Sequence, residues 1–423
     1  MNQNNISEWL NKETTHDLLK SLYSETSLAH QKDRIQSLTQ RFTSHFPHHH
    51  EFELFSASGR IELIGNHTDH QGGHVLACAI NLDTLACATI NHDHKIRLYS
   101  LGYDPIIVDW YDLSFRKEEI NTTLGLLKGL AYYFSEHALI TGVDIVMESD
   151  IQAGSGLSSS ASFECLILSI FNTFFKQNSP LSSLKIAQIG QRAENHFFGK
   201  PSGLMDQLTI ANGGICVMDF SHNEPTLKKL TNDQLFDEFG LCIVHTGGSH
   251  DDLTHAYAQI VSDNFELSSH FKVSKLSMIS QEDFLNELPL LYTKFPSRIL
   301  LRGFHFFKEN QRVLNCVQAI EHKNTADFLK HIIDSSHSSF EYLDNVNHPT
   351  SSKQGLAIGL TLAHHVLEGV GAYRLHGGGF AGTILCICPH DKINSLKKTM
   401  ELVFGSQAFT VLKVRNQGVM HLK

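Results

Sequence analysis

The chain lacks the long apolar run that a membrane-spanning segment requires. No stretch approaches about 20 consecutive apolar residues. The segment from Met1 to Lys12 is polar and has no apolar region of the kind found in signal peptides. We therefore expect a protein with no membrane partner and no secretion signal in this segment.

Positive charge and paired cysteines are also scarce. The 34 Lys and Arg residues face 44 Asp and Glu residues, which gives a net charge of −10. This acidic excess disfavours nucleic-acid binding, because no positive field attracts a phosphate backbone. The eight cysteines are scattered and form no C-x-x-C pair of the kind found in zinc or redox sites. We predict buried, reduced thiols and a cytoplasmic protein.

Two common nucleotide-binding motifs are missing. The chain contains no G-x-x-x-x-G-K-[ST] loop and no G-x-G-x-x-G followed by a ribose-binding acid, so neither a P-loop nor a Rossmann domain is indicated. At 423 residues, 41% of them hydrophobic, the chain suits two domains. The polar, turn-rich stretch Pro225–Asp237 predicts domains at 1–225 and 226–423. Helices and closely spaced strands alternate, which favours an α+β fold with mixed or antiparallel sheets.

A glycine- and serine-rich loop, Gly154–Ser162, lies between a predicted strand at 143–148 and an apolar helix predicted at 158–175. Its glycines allow close approach of the backbone, and the N–H groups of the helix start point towards a bound anion. A flexible loop with N-capping serines is the alternative, but linkers seldom separate a buried strand from a buried helix. The predicted phosphate-binding residues are Gly154, Ser155, Gly156, Leu157, Ser158, Ser159 and Ser160.

A second segment, Gly59–Val75, reads as a strand that ends in a run of short polar residues. Carboxylate, amide and imidazole groups crowded at one strand end suit the hydroxyl groups of a sugar. A turn rich in Asn, Asp and Gly is the alternative for any single residue. The candidate sugar-binding residues here are Asn66, His67, Thr68 and Asp69, with Arg60 upstream.

Two further segments carry possible chemistry. His376–Thr383 is a glycine-rich turn between two apolar strands, and a simple β-hairpin turn explains it equally well in isolation. Arg192–Gln207 places Glu194 on a predicted helix and Asp206 at the start of the next one. N-capping of that helix is the structural alternative for Asp206.

The chain has 28 histidines, and Pro47-His48-His49-His50 is the densest run. Imidazole groups are common metal ligands. Since no cysteine or acidic partner is identified from the sequence, we expect this run to be a solvated surface segment.

Taken in order, these four segments resemble the GHMP small-molecule kinases. The resemblance spans positions 59 to 383, which is most of the chain. It implies a two-lobed α+β fold with the active site in the cleft between the lobes. It also implies an enzyme that transfers the γ-phosphoryl group of ATP to the anomeric hydroxyl of a hexose, with galactose as the first candidate, and that uses Mg²⁺.

The resemblance also implies roles for particular residues. Asp206 would accept the proton of the sugar hydroxyl, with Arg60 beside it to stabilise charge on the phosphoryl group. Ser160 and Glu194 would hold Mg²⁺ against the nucleotide. Phosphoryl transfer needs mainly positioning and charge stabilisation, so this set is sufficient. We expect a monomer. The residues implied to contact the sugar are Asn66, His67, Thr68, Asp69 and Tyr257.

The chain departs from the family pattern at several positions. Asn66 stands where the family usually has Glu, so a group that only accepts becomes one that also donates. This leaves open a kinase for another sugar, such as an amino sugar. A sensor that binds sugar and ATP without turnover is a further alternative, although Ser159, Ser160 and Asp206 are retained. Ala381 replaces a family glycine and is expected to avoid a left-handed backbone.

Overall fold

The structure is a computed structural model that describes residues 1, 3–152, 154–175, 179–231, 235–248 and 253–422. Helices and strands are interleaved along these ranges. The strands are β1 Glu53–Ile64, β2 His74–Ile90, β3 Lys95–Ser100, β4 Ile106–Asp109, β5 Val143–Ser149, β6 Ile215–Asp219, β7 Thr226–Leu230, β8 Phe239–Gly247, β9 Ala372–His376, β10 Gly382–Pro389, β11 Phe409–Leu412 and β12 Met420–His421.

The helices supply most of the surface that covers the sheets. Their bounds are α1 Gln3–Leu10, α2 Glu13–Leu22, α3 Leu28–His45, α4 Thr123–Phe134, α5 Ser159–Phe174, α6 Ser183–Ala193, α7 Met205–Asn212, α8 Leu235–Glu238, α9 Thr254–His270, α10 Gln281–Lys294, α11 Ser297–Glu321, α12 Thr325–Ser338, α13 Gly355–Leu367 and α14 Ile393–Phe404.

The first sheet is mixed and has the strand order β12-β1-β2-β5-β3-β4. β6 pairs with β2, and β7 extends the sheet from β6. β3 and β5 are parallel, whereas the other pairs are antiparallel. The second sheet is antiparallel, with the order β11-β8-β10-β9. The expected α+β class with mixed sheets is confirmed.

The first sheet draws strands from both sides of position 225. β7 follows that position directly, and β12 pairs with β1 through Phe55 and His421. One hydrophobic cluster also contains residues of both sheets, for example Ile61 of β1 and Leu385 of β10. The division into domains 1–225 and 226–423 stays a prediction.

Strand β1 bends at Gly59, where the register against β2 shifts between Ser58 and Arg60. A Cβ atom added at Gly59 would lie 3.0 Å from the carbonyl oxygen of Leu157. The Arg60 N–H donates to that same oxygen at 3.1 Å. Glycine therefore allows the glycine- and serine-rich loop to lie directly on the bend of β1.

The structure bears on two sequence predictions, one about membrane-spanning segments and one about the cysteines. None of the helices in the described ranges has the length and hydrophobicity of a membrane-spanning segment. All eight cysteines are buried and unpaired, as expected.

Candidate active site

The loop after β5 leads directly into the N-terminus of α5. Gly154, Gly156 and Ser158 all have positive φ values, of 75°, 74° and 66°. Ser158 precedes α5, and its hydroxyl makes no capping bond to the helix. The alternative N-capping role is therefore not what Ser158 does, and the first N–H groups of α5 have no serine cap at this position.

Arg60 and Asp206 form a bidentate ion pair beside this loop. Nε and Nη2 of Arg60 each lie 2.6 Å from one carboxylate oxygen of Asp206. Nη1 of Arg60 donates to the carbonyl oxygen of Gly156 at 2.5 Å, and the Ser158 hydroxyl donates to Asp206. The side chain of Asp206 is 22% exposed, so its carboxylate is held at the loop and still reaches solvent.

The environment keeps Asp206 ionised. Burial raises the pKa of its carboxyl group, but the charge and hydrogen bonds of Arg60 and the hydroxyl of Ser158 outweigh burial and bring the pKa below its usual value. Asp206 lies in the first turn of α7, whose N-cap position is Leu204. Its carboxylate is used by Arg60 and Ser158, so helix capping does not account for it.

Glu194 collects four hydrogen-bond donors. One carboxylate oxygen accepts from the Ser160 hydroxyl at 2.9 Å and from Lys200 Nζ at 2.8 Å. The other accepts from the Ser202 hydroxyl and from Gln207 Nε2, the latter at 3.2 Å. Glu194 is 1% exposed and begins a π-helical turn that continues α6, a distortion often found at functional sites.

The segment after β1 closes onto the glycine-rich turn between β9 and β10. The Asn66 amide donates to the carbonyl oxygen of Gly377 at 2.8 Å, and Nε2 of His67 lies 3.0 Å from the carbonyl oxygen of Gly378. The Tyr257 hydroxyl donates to the carbonyl oxygen of Gly379 at 2.9 Å. Three of the predicted sugar-binding residues thus meet on three successive carbonyl groups.

The glycine-rich turn between β9 and β10 also contacts the glycine- and serine-rich loop before α5. A Cβ atom added at Gly156 would lie 3.0 Å from Oγ1 of Thr383 and 3.3 Å from Nδ1 of His376. His376 is 2% exposed. Burial, followed by the charge of Arg60, holds the pKa of its imidazole well below the usual range. This histidine is therefore neutral, and its Nε2 accepts from the N–H of Glu62 at 3.2 Å.

Residue Ala381 meets the expectation for a glycine replacement. It is absent from the described residues with positive φ, whereas its neighbour Phe380 has a φ of 62°. The Phe380 N–H donates to the carbonyl oxygen of Asn345 at 2.5 Å. Phe380 therefore takes a left-handed backbone conformation in this turn, as Gly377, Gly379 and Gly382 also do.

Thr68 and Asp69 take different places in the segment. Oγ1 of Thr68 lies 2.9 Å from the carbonyl oxygen of Gly65 and 2.7 Å from that of His74, and the residue is fully buried. It closes the turn. The Asp69 carboxylate lies against Gly203, where an added Cβ atom would require Oδ2 of Asp69 to move. Asp69 therefore reaches towards the segment that carries Asp206.

Two more side chains around this segment carry shifted pKa values. Burial, then the charge of His70, lowers the pKa of His67 to about 4, so its imidazole is neutral. Burial raises the pKa of Asp69, but His70 and His67 bring it below the usual value. An ionised carboxylate and a neutral imidazole therefore both lie in the segment that follows Asn66.

Sequence reasoning missed several residues of this site. Asn345 donates to Oδ1 of Asn66 at 2.8 Å and to the carbonyl oxygen of Gly378 at 2.9 Å. Lys200 and Gln207 lie in the segment Arg192–Gln207, from which the sequence predicts no role for them, although both bind Glu194. The sequence could have indicated Lys200, since this residue stands in the loop between the two predicted helices. Asn345 had none, because it lies 279 positions from its partner.

This fold, with the glycine- and serine-rich loop at the start of α5 and the Arg60–Asp206 pair beside that loop, defines a GHMP-type small-molecule kinase. Residues 125–214 match the model of the GHMP kinases N terminal domain. Residues 40–90 match the model of the galactokinase galactose-binding signature. The second match includes the whole polar segment that follows β1.

Whole-chain comparisons extend these matches. The galactokinase of Streptococcus suis is 32% identical over 90% of this chain and 97% of its own length. That of Haemophilus influenzae is 30% identical over 86% and 92%. The structure of Lactococcus lactis galactokinase complexed with galactose covers 91% of this chain and 99% of its own, with a TM-score of 0.79 at 24% identity. The chain belongs to the galactokinase family, and it is a sugar kinase that uses ATP.

Proposed function

We propose that this enzyme transfers the γ-phosphoryl group of ATP to the anomeric hydroxyl of galactose and releases galactose 1-phosphate and ADP. The relatives named above are galactokinases, and one solved relative holds galactose. The observation that carries the proposal is the bidentate Arg60–Asp206 pair, with both bonds at 2.6 Å, at the mouth of the loop before α5.

Asp206 is the proposed proton acceptor. Its depressed pKa keeps the carboxylate ionised at neutral pH, and its partial exposure allows a sugar hydroxyl to approach. Arg60 has two roles in this proposal. It holds the carboxylate in place through two bonds, and its charge stabilises the negative charge on the transferring phosphoryl group.

The phosphate groups of ATP are proposed to bind at Gly154, Ser155, Gly156, Leu157, Ser158, Ser159 and Ser160. Support comes from the positive φ values of the loop and from its position at the N-terminus of α5. There the backbone N–H groups and the helix dipole both favour an anion. A chain with this arrangement needs no P-loop to hold the phosphates.

Ser160 and Glu194 fit a Mg²⁺ ion. Their oxygen atoms are hard ligands of the kind that Mg²⁺ takes, and the Ser160 hydroxyl lies 2.9 Å from Oε1 of Glu194, so both would hold the ion. When bound, the ion would neutralise charge on the β- and γ-phosphates. Lys200, which contacts the same oxygen of Glu194, would supply further positive charge to the nucleotide.

The sugar is proposed to bind against Asn66, His67, Asp69 and Tyr257. Three of these side chains touch the glycine-rich turn, and Asp69 leans towards the Asp206 segment. Thr68 closes the turn after β1 and is proposed to act by holding that turn in place. Because Asn66 replaces the usual Glu, a kinase that prefers another hexose or an amino sugar is the second candidate.

A panel of free sugars tests this proposal. The purified chain is assayed for ADP release with ATP and Mg²⁺ against galactose, glucose, mannose, galactosamine and N-acetylgalactosamine. We expect the highest kcat/KM with galactose and transfer to the anomeric oxygen, identified by ³¹P NMR of the product. A higher kcat/KM for an amino sugar would support the second candidate. Binding of galactose and ATP without ADP release would show a sensor and refute both.

Three other features belong to the same proposal. The enzyme is a monomer in the cytoplasm with domains at 1–225 and 226–423. Eight buried, unpaired cysteines support a reducing compartment. Size-exclusion chromatography with light scattering checks the monomer, and a mass of two chains would refute it.

A further inference from the structure

The histidine run between α3 and β1 meets an acidic residue that the sequence does not place near it. His48 and His49 lie in this connection, and Asp144 is the second residue of β5. Nε2 of His49 is 2.7 Å from Oδ2 of Asp144. Candidate ligand atoms of all three residues lie within 4.8 Å of one another. In the part of the chain that the structure describes, no other three His, Cys, Asp or Glu residues converge in this way.

The carboxylate of Asp144 is fixed from behind. Its side chain is 1% exposed. Oδ1 accepts from Asn91 Nδ2 at 2.7 Å and from Arg97 Nη1 at 2.9 Å, which leaves Oδ2 directed at His49. Ligands of a metal ion are commonly oriented by such outer hydrogen bonds, and these bonds also tune affinity.

The two imidazole rings are also held in place. The ring centroids of His48 and His49 are 4.5 Å apart. The ring of Phe46 packs against both, at 6.5 Å and 6.0 Å. His49 is 16% exposed at its side chain, and His48 is exposed. The rings are therefore ordered and still open to an ion from solvent.

The local charge favours a cation. Arg97 is the positive group next to Asp144, and it is shared with Asp93, which it also contacts. Two carboxylates and one guanidinium leave a charge of −1 when both histidines are neutral. This balance differs from a simple ion pair, in which Arg97 would neutralise Asp144 fully.

We propose that His48, His49 and Asp144 form a site for one divalent transition-metal ion of the Zn²⁺ type. Two imidazole nitrogens and one carboxylate oxygen are a common ligand set for this ion, with water completing a tetrahedron. With bonds of about 2.0–2.1 Å, ligand atoms lie about 3.3 Å apart. The His49 ring has to move from 2.7 Å to that distance, which a small side-chain rotation achieves.

The site is separate from the phosphoryl-transfer chemistry. Asp144 is at the start of β5, and the glycine- and serine-rich loop follows the other end of that strand. The five residue steps from Asp144 to Ser149, the last residue of β5, span about 17 Å. A bound ion would tie the α3–β1 connection to the first sheet, so the expected effect is on stability and not on turnover.

Metal titration of the full-length chain without an affinity tag tests the proposal. The protein is stripped with EDTA, dialysed, and titrated with Co²⁺ and Zn²⁺ by calorimetry, and visible absorption of Co²⁺ reports its coordination. We expect one ion per chain. His48→Ala and His49→Ala should each weaken binding at least about tenfold. His50→Ala, from the same run but outside the cluster, should bind like wild type.

A second measurement uses thermal unfolding. Zn²⁺ should raise the Tm of wild type and of H50A, and should leave the Tm of H49A unchanged. Absence of a 1:1 site in wild type would overturn the proposal. So would equal loss in H50A and H49A, since that result identifies non-specific binding to the histidine run. Both histidines lie near the surface, so these variants do not depend on a change in the core.

Discussion

Gln207 joins two buried carboxyl groups, with its Nε2 atom 2.9 Å from Oε2 of Glu164 and 3.2 Å from Oε2 of Glu194. Glu164 is fully buried. Burial, and then the charge of Glu194, raises the pKa of Glu164 well above its usual value, which favours the neutral form of this acid. A neutral acid thus holds the amide that orients the proposed Mg²⁺ ligand.

We predict that Glu164→Gln keeps activity and Glu164→Leu does not. Gln is neutral and retains an acceptor for Gln207, whereas Leu leaves that amide with one partner. The Mg²⁺ concentration for half-maximal rate should rise about 10- to 100-fold in E164L. An equal rise in E164Q would contradict this role.

The same residue gives a pH prediction. Its folded-state pKa is raised, so the unfolded chain loses the proton first, and the contribution of Glu164 to stability falls as pH rises above about 4.3. E164Q removes this loss. Urea unfolding should therefore show a larger advantage of E164Q over wild type at pH 8 than at pH 5.5.

Asp206→Asn should abolish most phosphoryl transfer. The amide still accepts a bond from Arg60 but cannot take up the proton, and general bases contribute about 10²- to 10⁴-fold. ADP release and circular dichroism measure rate and folding. Asp219→Asn is the control, because this carboxylate lies outside the site and accepts a hydrogen bond from Ser221. Burial raises the pKa of Asp219, but the hydrogen bonds to Ser221 bring it below its usual value. Wild-type turnover in D206N would remove Asp206 as the base.

Asn66→Glu should change the response to sugar more than the response to ATP. The new carboxylate cannot donate to the carbonyl oxygen of Gly377, and it meets that oxygen in a buried place. Loss of such a bond costs about 1–3 kcal/mol, so the KM for the sugar should rise about tenfold. Steady-state kinetics with each substrate varied measures both constants. An equal change in the KM for ATP would count against the assignment to the sugar.

Stability should fall below pH 6.5 because of buried neutral histidines. Burial lowers the pKa of His305 and His376 in the folded chain, as it does for His67. The unfolded chain binds protons first as pH falls through about 6.5, so folding is disfavoured below that value. His376→Gln should lose less stability between pH 7.5 and 5.5 than wild type does. The exposed His365→Gln is the control and should follow wild type.

A buried cluster of charged groups surrounds Asp83, and we expect it to contribute to stability and not to activity. Its oxygens accept from Arg34 at 2.7 Å, from Arg415 at 3.3 Å and from the Tyr23 hydroxyl at 2.6 Å. Asp83→Asn removes the carboxylate that pairs with the buried Arg415, whereas Arg34 keeps Glu148 and Asp150. The loss should cost about 3–5 kcal/mol in urea unfolding. The exposed Asp112→Asn should change little. Unaltered stability of D83N would contradict the cluster's structural role.

The sequence predicted the parts of the site that lie within one motif each. The loop before α5 was indicated by glycines and hydroxyls at the ends of recognisable elements, whereas the roles of Arg60 and Asp206 follow from the resemblance to the GHMP kinases and stay predictions. Contacts between motifs were not predictable. That Asn66 binds Gly377, 311 positions away, depends on how the second sheet packs, and local patterns carry no information on that packing.

Some elements were missed for identifiable reasons. β7 has Lys228 and Lys229 in a five-residue edge strand, and such charged edges lack the alternation that marks a strand. α10 contains Pro289, which usually ends a helix. Gly59 indicates an interruption of β1 in the sequence, whereas the bulge there lets the strand continue.

Pairing of β12 with β1 joins His421 to Glu53, 368 positions earlier. During synthesis the edge of β1 therefore stays uncovered until almost the whole described chain has left the ribosome. Unpaired strand edges attract other chains. A fragment that stops near position 225 would keep the residues of the phosphate loop, Arg60 and Asp206, yet it would expose this edge and should aggregate when expressed alone.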